Sequence, residues 1–312
     1  MLRVLVLGGD GMLGQMVRNV LAASEGILLE STQRRDPAGL FHFDVEAGPE
    51  GLRALLKREG GFEYLINCIG ILASRMDLRR VNSIRSALVV NALFPHDLAG
   101  LAAEAGARVI HASTDGVFAP NAGACFEDTT ISCNDPYGQT KALGEVISPS
   151  VLNIRCSLIG PDPLGRRGLM EWLRGQPRGA QIPGYTDHLW NGVTTLQFAL
   201  LCSKMVRSGS FDSVRAEGGT HHFCPNQPVS KYELLRLLGE ALRPDVMVIP
   251  TNGPARADRL LDTRYHGLRR LFGSGIPMKD AVTELAISSE SSNYTERQGY
   301  AETPGNHPGN TT

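Results

Sequence analysis

A tyrosine and a lysine four positions apart carry the strongest chemical signal in this sequence. Tyr137 and Lys141 belong to the segment YGQTK, and a spacing of four places two side chains on one face of a helix. A nearby ammonium favours the phenolate, so it lowers the pKa of a tyrosine from its ordinary value of about 10. The pattern predicts that Tyr137 exchanges a proton with a carbonyl or alcohol oxygen and that Lys141 tunes it.

A third polar group comes from the segment STDGVF at residues 113–118. This segment follows a predicted strand over residues 108–112, and ligands bind at the carboxyl edge of parallel sheets. We expect the Thr114 hydroxyl to hydrogen-bond the reacting oxygen.

A glycine-rich turn near the N-terminus predicts a nucleotide site. Glycines 8, 11 and 14 directly follow the apolar run Leu2–Leu7, which is typical of a buried parallel strand. Apolar residues then recur at helical spacing, and a helix that starts at such a turn offers free N–H groups and a positive dipole end to a pyrophosphate. The residues expected to contact a dinucleotide here are Gly8, Gly11, Met12, Leu13 and Gly14.

The elements that must position these residues alternate along the first half of the chain. Strand signals at residues 27–31, 64–68, 108–112 and 151–155 are separated by amphipathic segments, which predicts an α/β fold with a doubly wound parallel (Rossmann) sheet over residues 1–156. Residues 157–287 are predicted to form a smaller C-terminal substrate lobe. Residues 288–312 lack a periodic apolar face and are predicted to be disordered.

Two local features add detail to this prediction. An apolar helical face spans residues 87–105, and Pro95 is expected to kink that helix. Ser230 and Glu233 fit a capping box at the start of a helix in the lobe.

Composition narrows the class of protein. The chain has 312 residues, a formal net charge of −1 and 42% hydrophobic residues, as expected for a soluble enzyme that binds neither nucleic acid nor membrane. We see no leader segment and no apolar run long enough to span a membrane, so we expect a cytoplasmic protein.

The six cysteines form no CxxC pair or Cys/His cluster, so we expect reduced thiols and no metal. His111 is predicted to be a packed core histidine, and His221-His222 lacks partners at metal spacing.

Together the motifs resemble the extended short-chain dehydrogenase/reductases, whose signature combines GxxGxxG, a Ser or Thr after a sheet strand, and YxxxK. The resemblance covers residues 1–285. Within that group the chain is most similar to the dTDP-4-dehydrorhamnose reductase family, whose threonine segment reads STDxVF. Gly116 stands where an aromatic residue is common in that family. The segment PARADRLLDT at residues 254–263 is similar to its Arg-Pro, then Leu-Asp-Thr pattern, without the Arg-Pro order.

This resemblance implies an NADPH-dependent reduction of the 4-keto group of a deoxy-sugar nucleotide, in activated deoxysugar and polysaccharide biosynthesis. Thr114, Tyr137 and Lys141 would be catalytic. Nucleotide-sugar 4,6-dehydratases carry an Asp-Glu pair after the threonine, whereas this chain has Asp115-Gly116, which favours simple reduction. Dimerisation through the helices that flank the sheet is common in the wider family. The residues expected near the substrate are Ser113, Asp115, Trp190, Asn191 and Arg256; Trp190 either stacks on a base or fills the core.

The residues after the second strand bear on cofactor choice. An acid there binds the ribose hydroxyls of NAD, whereas an arginine accommodates the phosphate of NADP. Arg34 and Arg35 favour NADP, with NAD as the alternative, because the competing Glu30 lies within the strand. The resemblance adds further cofactor positions: Asp44 and Val45 at the adenine, Cys68, Ile69 and Gly70 at its ribose, Asn91 in the helix behind the site, and Tyr137 and Lys141 at the nicotinamide ribose.

Two other functions remain open from the sequence. A nucleotide-sugar 4-epimerase has a similar site but keeps its NAD bound and reuses it. The family also includes the regulatory subunit of methionine adenosyltransferase, a non-catalytic partner protein. The joint presence of Thr114, Tyr137 and Lys141 favours an enzyme, because a scaffold has no physical need for all three.

Overall fold

The computed structural model describes residues 1–34, 41–58, 61–162, 166 and 168–299. Along these residues the strands and helices follow in this order: β1 (Leu2–Leu7), α1 (Met12–Ala22), β2 (Ile27–Ser31), α2 (Glu50–Arg58), β3 (Tyr64–Asn67), α3 (Val81–Ala87), α4 (Phe94–Ala105), β4 (Arg108–Thr114), β5 (Gly123–Cys125), α5 (Pro136–Leu143), β6 (Val151–Cys156), β7 (Leu158–Ile159), α6 (Gly168–Arg174), β8 (Gln181–Tyr185), β9 (His188–Trp190), β10 (Val193–Thr194), α7 (Thr195–Ser208), α8 (Phe211–Arg215), β11 (Thr220–His222), β12 (Val229–Ser230), α9 (Lys231–Leu242), β13 (Met247–Thr251), β14 (Ala257–Leu261), α10 (Gly267–Phe272) and α11 (Met278–Gly299).

Six parallel strands form the central sheet in the order β11-β6-β4-β3-β1-β2. Residues Val4 to Leu7 of β1 are completely buried, which explains why that strand is a continuous apolar run. The strand order reverses direction between β1 and β3, so their carboxyl ends flank the crevice where such sheets bind ligands. This architecture confirms the predicted Rossmann sheet.

The two faces of the sheet carry separate hydrophobic cores. On one face the apolar side of α1, including Met16 and Val17, packs with Phe198 and Cys202 of α7. On the other face α2 and α4 cover β1 and β3. The helices therefore lie on both sides of the sheet, as a doubly wound fold requires.

The helix behind the site is irregular, although not where the sequence predicted. A π-helical turn, Leu88–Leu93, joins α3 to α4, and Pro95 is already within the first turn of α4. Proline has no N–H to donate to the carbonyl four residues earlier, which belongs to Asn91. The disruption therefore falls before Pro95, in the turn that holds Asn91.

This helical stretch, residues 81–105, is long and apolar enough to cross a membrane by composition, and it is the one such stretch found among the described residues. More than half of its apolar window, 56%, is buried inside the protein. A core helix of a soluble fold meets the same criterion, so the finding is weak evidence for a membrane span.

The two predicted domains interleave more than the boundary at residue 156 implied. Helix α7 returns to the Rossmann sheet, and β11 extends it beyond β6. Conversely, β5 from the first half pairs with β14 in the four-stranded sheet β12-β9-β14-β5. The second half of the chain returns to the Rossmann sheet because β6 offers an open edge for β11 and because α7 carries a wide apolar face.

The C-terminal prediction is also corrected in part. Helix α11 continues to Gly299, so helical backbone replaces the expected disorder over residues 288–299. Its first turns are anchored by buried Ala281, Val282 and Leu285, and the Ser289 hydroxyl donates to the Leu285 carbonyl. Residues 300–312 lie outside the described part of the chain, where disorder remains a prediction.

The capping box predicted at the start of α9 is only half formed. The Ser230 hydroxyl accepts the Glu233 N–H at 3.1 Å, but the Glu233 carboxylate binds Arg236 at 2.7 Å and does not complete a capping box. A charged partner one helical turn away makes the stronger hydrogen bond. A complete box forms instead between Thr194 and Gln197 at the start of α7.

Candidate active site

The glycine turn after β1 is built so that only glycine fits at two of its positions. Gly8 has a φ of +81°, and a Cβ placed on Gly14 would lie 2.1 Å from the Gly8 carbonyl oxygen. The Gly11 N–H donates to that same carbonyl at 3.0 Å. The turn therefore holds the first residues of α1 against the sheet edge, and its shape fits the close approach of a dinucleotide pyrophosphate.

A cavity of about 410 Å³ opens beside this turn. Predicted cofactor residues contribute much of its lining: Gly8, Gly11, Arg34, Asp44, Val45, Cys68, Ile69 and Gly70. The sequence reasoning missed other lining residues, among them Phe43, Glu46, Arg75, Ser83, Ser86 and Asp162. They come from segments with no local nucleotide motif, so only the folded chain identifies them. Arg35, the other predicted phosphate ligand, lies outside the described residues.

An acidic side chain lies beside Arg34, the basic residue of the cavity that was predicted to bind the NADP phosphate. Its guanidinium lies 4.0 Å from the Glu46 carboxylate, which also accepts a hydrogen bond from Ser86 at 2.5 Å. Glu30, the acid weighed from the sequence, pairs instead with Arg3 at 3.5 Å and does not line the cavity. Among the described residues, the acid paired with the candidate NADP-binding arginine is therefore Glu46, two residues after the predicted adenine contact Asp44.

A second, smaller cavity of about 130 Å³ continues the first. Both are lined by Gly11, by residues 68–71 and by Arg75, so they form one cleft along the carboxyl ends of β1 and β3. The smaller part is lined by Met12 and Leu13 of α1 and by Ser113, Tyr137 and Lys141. The predicted tyrosine and lysine thus meet the glycine turn in one site.

Thr114 ends β4, two residues beyond the strand end predicted from the sequence. Its hydroxyl accepts the Gly116 N–H at 3.0 Å and donates to Asp115 at 3.2 Å. A Cβ at Gly116 would lie 3.1 Å from that hydroxyl and 3.2 Å from Cε1 of Tyr137. The absence of a side chain at 116 therefore lets the threonine and the tyrosine approach each other closely.

The pKa of Tyr137 shifts opposite to the direction predicted from the sequence. Burial raises the pKa of Tyr137 to about 12, while a hydrogen bond from Thr114 lowers it and the Asp115 charge raises it. Burial also lowers the pKa of Lys141 to about 8, opposed by Glu145. The expected lowering by Lys141 does not dominate, because desolvation penalises the charged forms of both side chains. The Lys141 ammonium donates to the Ala112 carbonyl at 2.8 Å.

Asn91 does not line the cleft but connects two of the segments that form it. Its side-chain amide exchanges hydrogen bonds with the Ile71 backbone at 2.8 and 2.9 Å and donates to the Thr140 hydroxyl at 3.2 Å. It thereby ties the loop after β3 to α5, the helix of Tyr137 and Lys141. These hydrogen bonds give Asn91 a supporting role in the helix behind the site, and its direct contact with the cofactor stays a prediction.

The predicted substrate residues separate into two groups. Asp115 lies with Thr114 and approaches Arg259 of β14 at 3.4 Å. Asn191 is buried and exchanges hydrogen bonds with the Leu261 backbone, so it holds β14 in place. Arg256 is exposed and pairs with Asp258, and the Ser113 hydroxyl donates to Glu145. Trp190 packs partly buried against the core, which favours the filling role over stacking.

Three expectations about histidines, cysteines and metal ligands can be compared with the structure. His111 is buried, with Nδ1 3.0 Å from the Asn67 amide nitrogen, and burial holds its pKa well below the ordinary value. The cysteines are all free thiols. Within the described ranges no cluster of three His, Cys, Asp or Glu side chains is arranged to hold a metal.

Comparison with known proteins identifies the family. The model of the RmlD substrate binding domain matches residues 2–159, about half of the chain. The chain belongs to this family. The match spans the glycine turn, the threonine segment and Tyr137 with Lys141, and it confirms the resemblance drawn from those motifs. A comparison with curated proteins found no match.

Solved structures resemble this fold over most of the chain. A dTDP-4-dehydrorhamnose reductase from Clostridium acetobutylicum superimposes with a TM-score of 0.72 at 20% identity, covering 93% of this chain and 100% of its own. A Bacillus anthracis dTDP-4-dehydrorhamnose reductase in complex with NADP gives 0.71 at 17% identity, with coverages of 93% and 100%. A dTDP-glucose 4,6-dehydratase from the same species with NAD gives 0.67 at 15% identity, with 94% and 98%. The shared feature is the fold.

Proposed function

We propose that this protein reduces the 4-keto group of a deoxy-sugar nucleotide with NADPH. The observation that carries the proposal is the meeting of Tyr137, Lys141 and the N-terminus of α1 in one cleft, with Thr114 beside Tyr137. The family's solved relatives include dTDP-4-dehydrorhamnose reductases, which is consistent with this chemistry.

The residues that would hold the cofactor follow the cleft. The glycine turn would bind the pyrophosphate, Asp44, Val45 and residues 68–70 would border the adenosine, and Lys141 would reach the nicotinamide ribose. When bound, the reduced nicotinamide supplies a hydride to the keto carbon. The protein's part is to align the carbonyl with that donor and with a proton source.

Tyr137 is the proposed proton donor to the carbonyl oxygen. With a pKa raised to about 12 by burial, the phenol is protonated at neutral pH, as an acid in the reductive direction must be. The Thr114 hydroxyl would orient the oxygen. Lys141 would support the phenolate that remains after the proton leaves, since its ammonium stabilises a neighbouring negative charge.

The segment after Thr114 favours reduction over dehydration. A dehydratase needs a second carboxylate to remove a proton beside the carbonyl, and position 116 is a glycine with no room for a side chain without movement of Thr114 or Tyr137. Asp115 is engaged by the Thr114 hydroxyl and approaches Arg259. It would hold the threonine loop and the lobe strand β14 together.

One observation supports NAD and, with it, the epimerase alternative. Glu46 lies beside Arg34, and a carboxylate there would repel the phosphate of NADP and bind ribose hydroxyls instead. We favour NADP because Arg34 is exposed and free to turn toward the cleft, with Arg75 also on its lining. An epimerase would purify with NAD bound and would not consume NADPH.

The exposed apolar side chains beside the site support a homodimer. Leu88 and Leu93 on the helix behind the cleft, Leu143 at the end of α5 and Ile147 after it are 41%, 59%, 62% and 94% exposed. Such side chains on neighbouring helices favour association through that face. Sedimentation at micromolar concentration would test it, and a monomer for the wild type would contradict it.

The function is tested with NADPH and a panel of 4-keto-6-deoxy nucleotide sugars, followed by loss of nicotinamide absorbance. Wild type is compared with Tyr137→Phe and with Tyr185→Phe, a tyrosine in the lobe sheet that packs on His188. Oxidation that is lost only in Tyr137→Phe supports the reductase. Measurable NADPH binding without oxidation of NADPH by any sugar would refute it and favour a regulatory role.

A further inference from the structure

A buried ion pair begins four residues after the candidate catalytic lysine, at Glu145. The Glu145 carboxylate accepts two hydrogen bonds from the Arg155 guanidinium, both at 2.7 Å. Their side chains are only 8% and 5% exposed. A buried pair of this kind is often no better for stability than an apolar replacement, because both charges must be desolvated. Stability alone therefore does not account for it.

The pair is placed by the active-site elements themselves. Glu145 follows Lys141 by four residues, just beyond the end of α5, and Gly144 lets the chain pass the Asn91 carbonyl, where a Cβ would lie 1.9 Å away. Arg155 of β6 stands opposite Ser113 of β4 in the sheet register. The Ser113 hydroxyl donates to the same carboxylate at 2.6 Å. Glu145 is thus held by Ser113 of β4, next to Ala112, whose carbonyl accepts the hydrogen bond from the Lys141 ammonium at 2.8 Å.

Strand β11, next to β6 in the central sheet, completes the support of this carboxylate. His222 of β11 places Nδ1 2.8 Å from the Asp262 carbonyl and Nε2 3.3 Å from the Arg155 guanidinium. A carbonyl oxygen accepts, so Nδ1 carries the proton and Nε2 accepts from Arg155. Burial lowers the pKa of His222 below its ordinary value, which agrees with this neutral form. Arg155 is fixed from the side opposite Glu145.

We propose that Glu145 is a positioning residue of the active site, whose carboxylate, fixed by Arg155 and Ser113, keeps the buried Lys141 cationic. The proposal deepens the reductase function and rests on it for its catalytic meaning. The titratable groups that face Lys141 are Tyr137 and Glu145 near its own helix, Cys68 after β3, His111 on β4 and Cys156 on β6. Burial raises the pKa of both thiols and lowers that of His111, whereas Glu145 is a carboxylate fixed by a guanidinium. Asp162 and Arg75 also line the cavity that Lys141 lines.

The titration of Lys141 tests the proposal without any substrate. The chain contains five lysines, so lysine labelled with ¹³C at Cε gives few NMR signals, and Lys141→Arg assigns the one of interest. In wild type the Lys141 signal is expected to titrate with a pKa of about 8. In Glu145→Gln its midpoint should fall by about one pH unit or more, because an adjacent opposite charge is removed.

Two further variants separate positioning from structural support. Glu127→Gln makes the same chemical change at a half-buried lobe carboxylate that contacts the His222 backbone, and should leave the Lys141 midpoint unchanged. Glu145→Gln/Arg155→Gln leaves no unpaired charge in the interior, so it keeps the test valid where the single variant unfolds. Its midpoint should also stay below that of the wild type.

The outcomes are distinct from those of the function test. A wild-type midpoint in either Glu145 variant overturns the proposal, and so does an equal shift in Glu127→Gln. A lowered midpoint confined to the Glu145 variants supports it. Because the titration needs neither cofactor nor sugar, a failed reductase assay leaves this result standing as a property of the site and refutes only the catalytic function.

Discussion

Substitution of Gly14 by alanine tests how the glycine turn is built. The added Cβ would lie 2.1 Å from the Gly8 carbonyl oxygen, about 1.3 Å inside the 3.4 Å at which ordinary contact begins. Both partners are backbone, so the start of α1 must move away from β1. Overpacking of a closed site costs roughly 1–3 kcal/mol, and we expect the upper end because no flexible side chain can give way.

Two other glycines provide matched controls. A Cβ on Gly11 would meet only the Gly8 carbonyl, at 3.4 Å, and one on Gly100, inside α4, would meet nothing within 4 Å. Gly11→Ala should therefore fold normally. Gly100→Ala should be more stable by roughly 0.5–1 kcal/mol, because alanine favours the helix.

The assay combines thermal unfolding with NADPH titration by fluorescence. A loss of about 3 kcal/mol lowers Tm by about 5 °C for a chain of 312 residues. Displacement of the turn by about 1 Å should also weaken NADPH binding by at least about tenfold, a change of about 1.4 kcal/mol. A Gly14→Ala protein with the Tm of the Gly11→Ala control and the NADPH affinity of the Gly100→Ala control would refute the idea that backbone contact fixes the turn.

Three further outcomes follow from the site. Tyr137→Phe should lower kcat by about 10²–10⁴-fold with unchanged NADPH affinity, measured by turnover and titration; an unchanged kcat would remove Tyr137 as the acid. Activity should fall as pH rises through about 8, where Lys141 loses its proton, and not near 12, where Tyr137 loses its proton. A pH–rate profile that is flat from pH 7 to 10 would contradict this. Glu46→Gln should tighten NADPH binding by about 2–5-fold and should not tighten NADH binding, since an exposed charge near Arg34 contributes up to about 1 kcal/mol. Equal tightening of both cofactors would place the phosphate elsewhere.

The linkage between Lys141 and stability has a defined sign. Its pKa falls from an ordinary 10.5 to about 8 on folding, so the unfolded chain binds more protons between these values. Stability should therefore rise with pH across that window relative to Lys141→Met, by about 3 kcal/mol in total. Chemical denaturation of both proteins at pH 7.5 and 10 measures the difference, and a constant gap would show that Lys141 is not desolvated.

Local patterns were enough to predict the sheet, the glycine turn and the meeting of Tyr137 with Lys141. Each depends on neighbours within a few residues: an apolar run makes a buried strand, and a glycine at 14 is required by the carbonyl at 8. The lining residues Glu46 and Arg75 were missed because their segments carry no periodic or motif signal. Their role arises only from long-range packing.

The direction of the tyrosine pKa shows most clearly what a motif leaves out. The spacing of Tyr137 and Lys141 predicts proximity, and proximity alone predicts an acidified phenol. Burial of both groups reverses that result, because it penalises the phenolate and the ammonium together. The lysine then needs its own counter-charge, and Glu145 lies four residues further on, just beyond the end of α5, held by Arg155 from the adjacent strand. A site that donates a proton at neutral pH therefore depends on a carboxylate that no catalytic motif includes.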